Sequence, residues 1–229
     1  MRLGRLVALL VLLPSIPLQA AGFATSDNFT VFTPRWPTQD AAQDFAEQLL
    51  QEAETYRREI AVKWLGGELP PGVGKTTINV KFSEERHAAL TWAKDDPRRK
   101  YHVVYLTTTP EKAAGNILAH EMVHVVLATQ YGYPDRLGAW IEEGIAGTYD
   151  DASRDKTRRQ ILSWIVKTGN VPPLMRTINA EVISPTDQES YAIASSLVAM
   201  LLSRADAATL LAFGQEANSI GWNAALQKH

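Results

Sequence analysis

The chain has 229 residues, 45% of them hydrophobic and 21% charged, a composition of globular rather than disordered proteins. Its 23 Lys and Arg against 25 Asp and Glu give a formal net charge of -2, which lacks the basic excess of a nucleic-acid binder and gives no reason to sit on an anionic membrane. There is no cysteine, so disulfides, thiolate metal sites, cysteine catalysis and a lipoprotein anchor are excluded together.

The N-terminus reads as an address. Arg2 and Arg5 form a short positive region, Leu6 to Leu13 is an unbroken apolar run, and Pro14, Ser15 and Pro17 break it before small residues at Ala20, Ala21, Gly22 and Ala24. That order is the layout of a secretory signal peptide over residues 1–21. The run is far short of the ~20 residues a membrane span needs. Cleavage is expected after Ala20 or Ala21, with Ala24 as a further option. Residues 22–229 are then one exported domain without membrane insertion. A cysteine-free exported chain fits a bacterial periplasmic or secreted protein.

Phe29 to Thr33 is a short β-rich run stopped by Pro34 and Pro37. Thr38 is a helix cap, and apolar residues recur with helical spacing at Ala42, Phe45, Ala46, Leu49, Leu50, Ala53, Tyr56 and Ile60. Leu65-Gly66-Gly67 ends that helix. Thr76 to Phe82 alternates as a strand, Ala88 to Ala93 reads as another, Lys94 to Lys100 as a charged turn, and Tyr101 to Thr107 as a third strand. Thr109-Pro110-Glu111 is a helix start, with Thr as cap and Pro at the first position. Helices then dominate, over about 110–130, 138–149, 154–168, 187–203 and 206–218, the fourth preceded by a Thr186/Glu189 capping box. Strands followed by helices give an α+β fold: a small N-terminal mixed sheet with helices, then a mainly helical C-terminal half.

Gly72-Val73-Gly74-Lys75-Thr76 imitates the end of a phosphate-binding loop. The full pattern needs Gly where Leu69 stands, and must follow a strand and open a helix. This segment follows Pro70-Pro71 and opens a strand, so it is not read as a nucleotide site.

The chemistry lies in His120-Glu121-Met122-Val123-His124, an H-E-x-x-H. Residues four apart share a helix face, so His120 and His124 reach one ion. Glu121 is rotated by about 100° and stands beside that ion, where it can act on a water. Nitrogen ligands with a neighbouring general base are the logic of a catalytic zinc, although cobalt or nickel suits the same donors. A chance H-E-x-x-H arises in roughly one sequence in a hundred of this kind. The surrounding helix is apolar, and three ionisable residues in it need a reason. His87 and His102 are read as strand residues without metal. A third ligand is available in Trp140-Ile141-Glu142-Glu143-Gly144-Ile145-Ala146, with 18 residues, 125 to 142, between His124 and Glu143. A second helix starting near Gly138 presents Glu143, with Glu142 as competitor. Gly144, Ala146 and Gly147 let two helices approach closely.

H-E-M-V-H followed by W-I-E-E-G-I-A resembles the gluzincin metallopeptidases, thermolysin-like and aminopeptidase-N-like, and above all the small bacterial peptidase-MA-like domains. The resemblance is specific over residues 120 to 146. It implies a zincin-like fold, zinc held by His120, His124 and Glu143, and peptide or protein substrates. It implies Glu121 as the general base that activates a water for attack on a peptide carbonyl. It further implies an oxyanion-stabilising Tyr or His from the helical half. Tyr191, before an apolar helix, is the candidate, with Tyr131, Tyr133 and Tyr149 as rivals. Asp150 and Asp151 are both placed to hold a histidine's second nitrogen. In this class the peptide lies along an edge strand, which would be the one near Ala88 to Ala93, with Thr91 and Trp92 near the cleft. There is no G-x-M-E-N segment, so aminopeptidase specificity is not implied. The expected function is an exported zinc peptidase. The alternatives are a non-catalytic zinc-containing binding or scaffold protein of the envelope, and a hydrolase of other amides or esters.

Overall fold

The computed structural model describes residues 20–96, 99–132 and 135–229. Residues 1–19 of the expected leader (1–21) lie outside them, as does Tyr133.

Strands β1 (Ala20–Thr25) and β2 (Phe29–Trp36) pair antiparallel. Helix α1 (Gln39–Leu65) crosses over to β3 (Lys75–Phe82), which lies parallel to β2. β5 (Arg99–Thr108) joins β3 in parallel, and β4 (Ala88–Asp96) pairs antiparallel with β5. The result is a five-stranded mixed sheet of order β1-β2-β3-β5-β4, with β1 and β4 at the edges. From Pro110 onward the described chain is helical. The fold is mixed α and β, with the sheet confined to the N-terminal half as expected.

Alternation explains the sheet. Phe29, Val31, Ile78, Val104 and Leu106 point into the core, while Phe32, Leu90 and Tyr105 are exposed on the other face. Among the described residues, helices cover only the first face. α1 packs there through Ala42, Phe45, Ala46, Leu49, Ala53 and Ile60. Thr38 caps it by accepting from the Ala41 N–H at 3.3 Å. Gly66 ends it at φ 77°, a left-handed conformation that favours glycine.

Four sequence expectations need correction. β2 runs through Pro34 to Trp36 rather than stopping at Thr33. Its pairing with β3 ends at Phe32, and Pro34 sits at a register shift against β1, where a missing N–H costs no ladder bond. The charged turn shrinks, because β4 extends to Asp96 and β5 starts at Arg99. The helix expected from 110 to 130 is two: α2 (Pro110–Ala113) and α3 (Asn116–Gln130), parted at Gly115 (φ -96°, ψ -146°). Thr109 also makes no side-chain cap bond there.

α4 (Ala139–Ala146) and a 3-10 turn (Gly147–Tyr149) follow, then α5 (Ala152–Thr168), α6 (Leu174–Ile178), α7 (Gln188–Leu202), α8 (Ala207–Ile220) and α9 (Trp222–Lys228). The fourth correction is the cap of α7. Asp187, not Thr186, accepts from the Ser190 N–H at 3.1 Å, while Thr186 Oγ1 is 3.0 Å from Ser184 Oγ. The phosphate-loop imitation opens β3, and Lys75 Nζ donates to the Ser26 carbonyl at 3.1 Å.

α3 is buried on nearly every side: Ile117, Leu118, Ala119, Met122, Val123, Val125, Val126 and Leu127 all lie in the core. α4 reaches it because Gly144 lets α4 press on α7. A Cβ at Gly144 would lie 2.4 Å from Val198 Cγ2 and 2.7 Å from the Ala194 carbonyl oxygen. Substituting Gly144→Ala should therefore cost about 1–3 kcal/mol by overpacking. Urea unfolding of the metal-free protein measures that cost, and a wild-type midpoint would contradict the close approach.

Candidate metal centre

The i, i+4 spacing on α3 brings the two imidazoles together, ring centroids 5.2 Å apart. α4 delivers Glu143 between them. Its Oε2 lies 3.6 Å from His120 Nε2 and 3.6 Å from His124 Nε2. One donor atom from each of the three residues falls within 4.8 Å of the others. Glu142 points elsewhere, its Oε2 standing 3.8 Å from His124 Nδ1. The structure thus separates the two adjacent acids as one helix must: Glu143 meets both Nε2 atoms and Glu142 flanks the other side of one ring.

The residues fit a cation. Two donors at ~2.1 Å from one tetrahedral ion stand roughly 3.4 Å apart, close to the separations seen. Glu143 Oε2 is buried and has no hydrogen-bond partner. Burial alone would raise the carboxyl pKa, yet His124 and His120 outweigh it and hold Glu143 well below the usual carboxylate range. Burial likewise pushes both imidazoles down, and the acids reverse it: chiefly Glu143 and Glu142 for His124, Asp150 and Glu143 for His120. A dication would satisfy the same two imidazoles and carboxylate.

Asp150 supports the cluster. Its side chain is fully buried, and Oδ1 lies 3.2 Å from His120 Nδ1, although the ring N–H is not aligned on it as a hydrogen bond. Arg158 Nη2 grips Oδ2, and Arg154 Nη1 is 3.1 Å from Oδ1. Burial raises the Asp150 pKa, but His120 and then Arg158 and Arg154 bring it down to about 2. Asp151 does different work, capping α5 by accepting from Ser153 and Arg154 N–H groups at 2.9 Å. The two arginines were not anticipated from sequence. Their one signal was the spacing Asp150, Arg154, Arg158, which puts all three on one side of a helix and its entry.

Glu121 is buried, and its Oε2 accepts from Thr91 Oγ1 of β4 at 2.5 Å. Both residues line a cleft of about 560 Å³, together with His120, His124, Glu143 and Tyr191. β4 (Ala88 to Thr91) forms one wall, and Ser153, Arg154, Thr157, Ile183 and Pro185 contribute to the others. Tyr191 sits in this cleft with the Arg158 guanidinium 5.9 Å above its ring. Burial, and next Glu143, push its phenol pKa up, so it stays a donor.

The described rivals lie elsewhere. The Tyr149 hydroxyl accepts from Trp64 Nε1 at 3.1 Å, and Tyr131 packs against the core. His102 is fully buried in β5, with Nε2 3.0 Å from Thr129 Oγ1. His87 was read as a strand residue. It precedes β4, lines the cleft, and stands 3.1 Å from Thr108 Oγ1 and 3.2 Å from Lys112 Nζ. Trp92 is half exposed on the outer face of β4 and is not among the cleft residues.

α4 is anchored on its other contacts by Trp140, which packs on Trp222 (5.5 Å between rings) and Phe213 (6.4 Å). No family model, curated protein or solved structure matches the chain.

Two substitutions test the centre. Metal analysis of the zinc-supplied protein should find about one ion per chain in the wild type, and His124→Ala or Glu143→Ala should abolish it. Asp150→Asn should weaken metal binding by roughly 10–100-fold, read by competition with a chelator.

Proposed function

We propose that the chain is an exported zinc-dependent metallopeptidase of the gluzincin type, similar to the small peptidase-MA-like domains. One observation carries the reading. His120, His124 and Glu143 converge on one point beside Glu121, at the floor of a cleft walled by the edge strand β4. The sequence order H-E-x-x-H then E-E-G, and the mixed sheet followed by helices, support a zincin-like fold. The leader-like N-terminus supports export to the periplasm or beyond.

His120, His124 and Glu143 would hold the metal. Bound zinc would supply Lewis acidity and a water that ionises near neutral pH. Glu121 accepts the proton of the attacking water and returns it to the departing amine nitrogen. Tyr191 donates its phenolic hydrogen to the peptide carbonyl oxygen as negative charge grows there, a task that requires a phenol still protonated at working pH. Asp150, clamped by Arg158 and Arg154, holds the His120 ring. The floor of the cleft is polar, and β4 offers an open backbone edge to an extended peptide.

Zinc-loaded wild type should cleave internally quenched peptides, and Glu121→Gln should lose turnover by about 10²–10⁴-fold while keeping its metal. A variant as active as wild type would remove Glu121 from the chemistry. Absence of cleavage by the loaded wild type over a broad peptide panel would count for a binding or scaffold protein. Tyr191→Phe should reduce kcat by about 10²–10³-fold with the metal content unchanged. An unchanged kcat would return Tyr191 to a packing role.

A further inference from the structure

We infer that Thr91 is a positioning residue for Glu121: its hydroxyl pins carboxylate oxygen Oε2 and leaves Oε1 as the oxygen that accepts the proton. The inference rests on the peptidase reading of the site. Its ground is the contact between an edge strand and the buried helix that carries the base.

Strand alternation sets the direction of Thr91. Leu90 and Trp92 are half exposed on the outer face, at 46% and 49%, so Ala89 and Thr91 face the helices. Thr91 pairs in register with Val104 of β5, which is fully buried. From there Oγ1 reaches Glu121 Oε2 at 2.5 Å and the Glu121 backbone oxygen at 3.5 Å. A hydroxyl has one proton to give, and an ionised carboxylate only accepts. The short contact therefore takes the proton, as a charge-assisted bond.

Among the described residues no other hydrogen-bond donor reaches the Glu121 side chain. Glutamate has three rotatable bonds, so one oxygen must be fixed before the other has a defined position. Threonine suits the task. Its branched Cβ restricts χ1, and a hydrogen-bonded strand holds its backbone. The competing role is bland: Thr91 only satisfies a buried carboxylate. Positioning predicts a loss in kcat that satisfaction alone does not.

The test uses Thr91→Val, which keeps the strand and the shape, and Thr91→Ser, which keeps the hydroxyl. In the metal-free protein, urea unfolding of Thr91→Val, Glu121→Ala and the double variant should reveal a coupling of about fivefold or more in the unfolding constant. Additive effects would overturn the bond itself. In the zinc-loaded protein, Thr91→Val should lower kcat on an internally quenched peptide by on the order of tenfold to a hundredfold. KM should stay within about twofold and zinc content should be unchanged, while Thr91→Ser recovers most of the rate. The inference fails if Thr91→Val turns over like wild type, loses its zinc, or is matched by an equally slow Thr91→Ser. If loaded wild type cleaves no peptide, the peptidase reading and the positioning role fall together, and the unfolding cycle separately reports whether the hydrogen bond exists.

Discussion

Glu143 sets one buried carboxylate oxygen between two imidazoles, and the architecture around it follows from that placement. A carboxylate oxygen withdrawn from water needs a partner, and here the partners are His120 and His124 at equal distances of 3.6 Å. The pairing demands that α4 come close to α3. That demand passes to Gly144, whose missing side chain lets α4 settle on α7 against Val198 and Ala194. It passes also to Trp140, which docks on Trp222 and Phe213 and fixes the other end of the same short helix. Eight residues thus carry the third candidate ligand, the acid beside it and two packing anchors.

Around this cluster the charges are graded. Asp150 sits against the ring nitrogen that does not face Glu143, and two arginines flank its carboxylate. Arg158 serves twice, because its guanidinium also lies over Tyr191. The phenol, the buried aspartate and a histidine are thereby linked through one cation. A change at Arg158 would disturb three groups together, whereas Arg154, half exposed at 42%, bears on Asp150 alone.

Much of this was legible in the sequence where chemistry and periodicity coincide. The i, i+4 histidines, the acid between them and the second motif need only helical spacing to meet. Strand β3 and α1 follow from alternation over Thr76 to Phe82, from helical spacing and from the Thr38 and Gly66 caps. What escaped were choices between neighbours of equal propensity. Thr186 and Asp187 both cap helices, and the stronger acceptor at 187 is engaged by the Ser190 N–H and hydroxyl. Asp150 and Asp151 are both short acids, and only tertiary packing sends one to His120 and the other to the start of α5. The end of the expected leader hid β1, because small apolar residues suit a cleavage site and an edge strand alike. Strand β1 begins at Ala20, so a cut after Ala24 would leave only Thr25 of it, while cuts after Ala20 or Ala21 keep most of it. The Arg158 clamp left only the Asp150, Arg154, Arg158 spacing as a signal, and that spacing says nothing of the contact with His120.

The division of labour between the two layers of the molecule explains why H-E-x-x-H sits where it does. A helix buried on nearly every side holds its histidines rigidly but leaves few directions open. His120 and His124 use one direction, toward α4. Glu121, turned by about 100°, faces the sheet instead, and there it meets Thr91 on β4. The candidate ligands are therefore fixed by helix packing and the candidate base by a strand. An edge strand is the one part of a sheet whose backbone remains free to bind an extended chain. The strand that meets Glu121 through Thr91 is thus also the strand that has an unpaired side and lines the cleft, so the position of the candidate base and the shape of the cleft rest on the same few residues, Ala88 to Thr91.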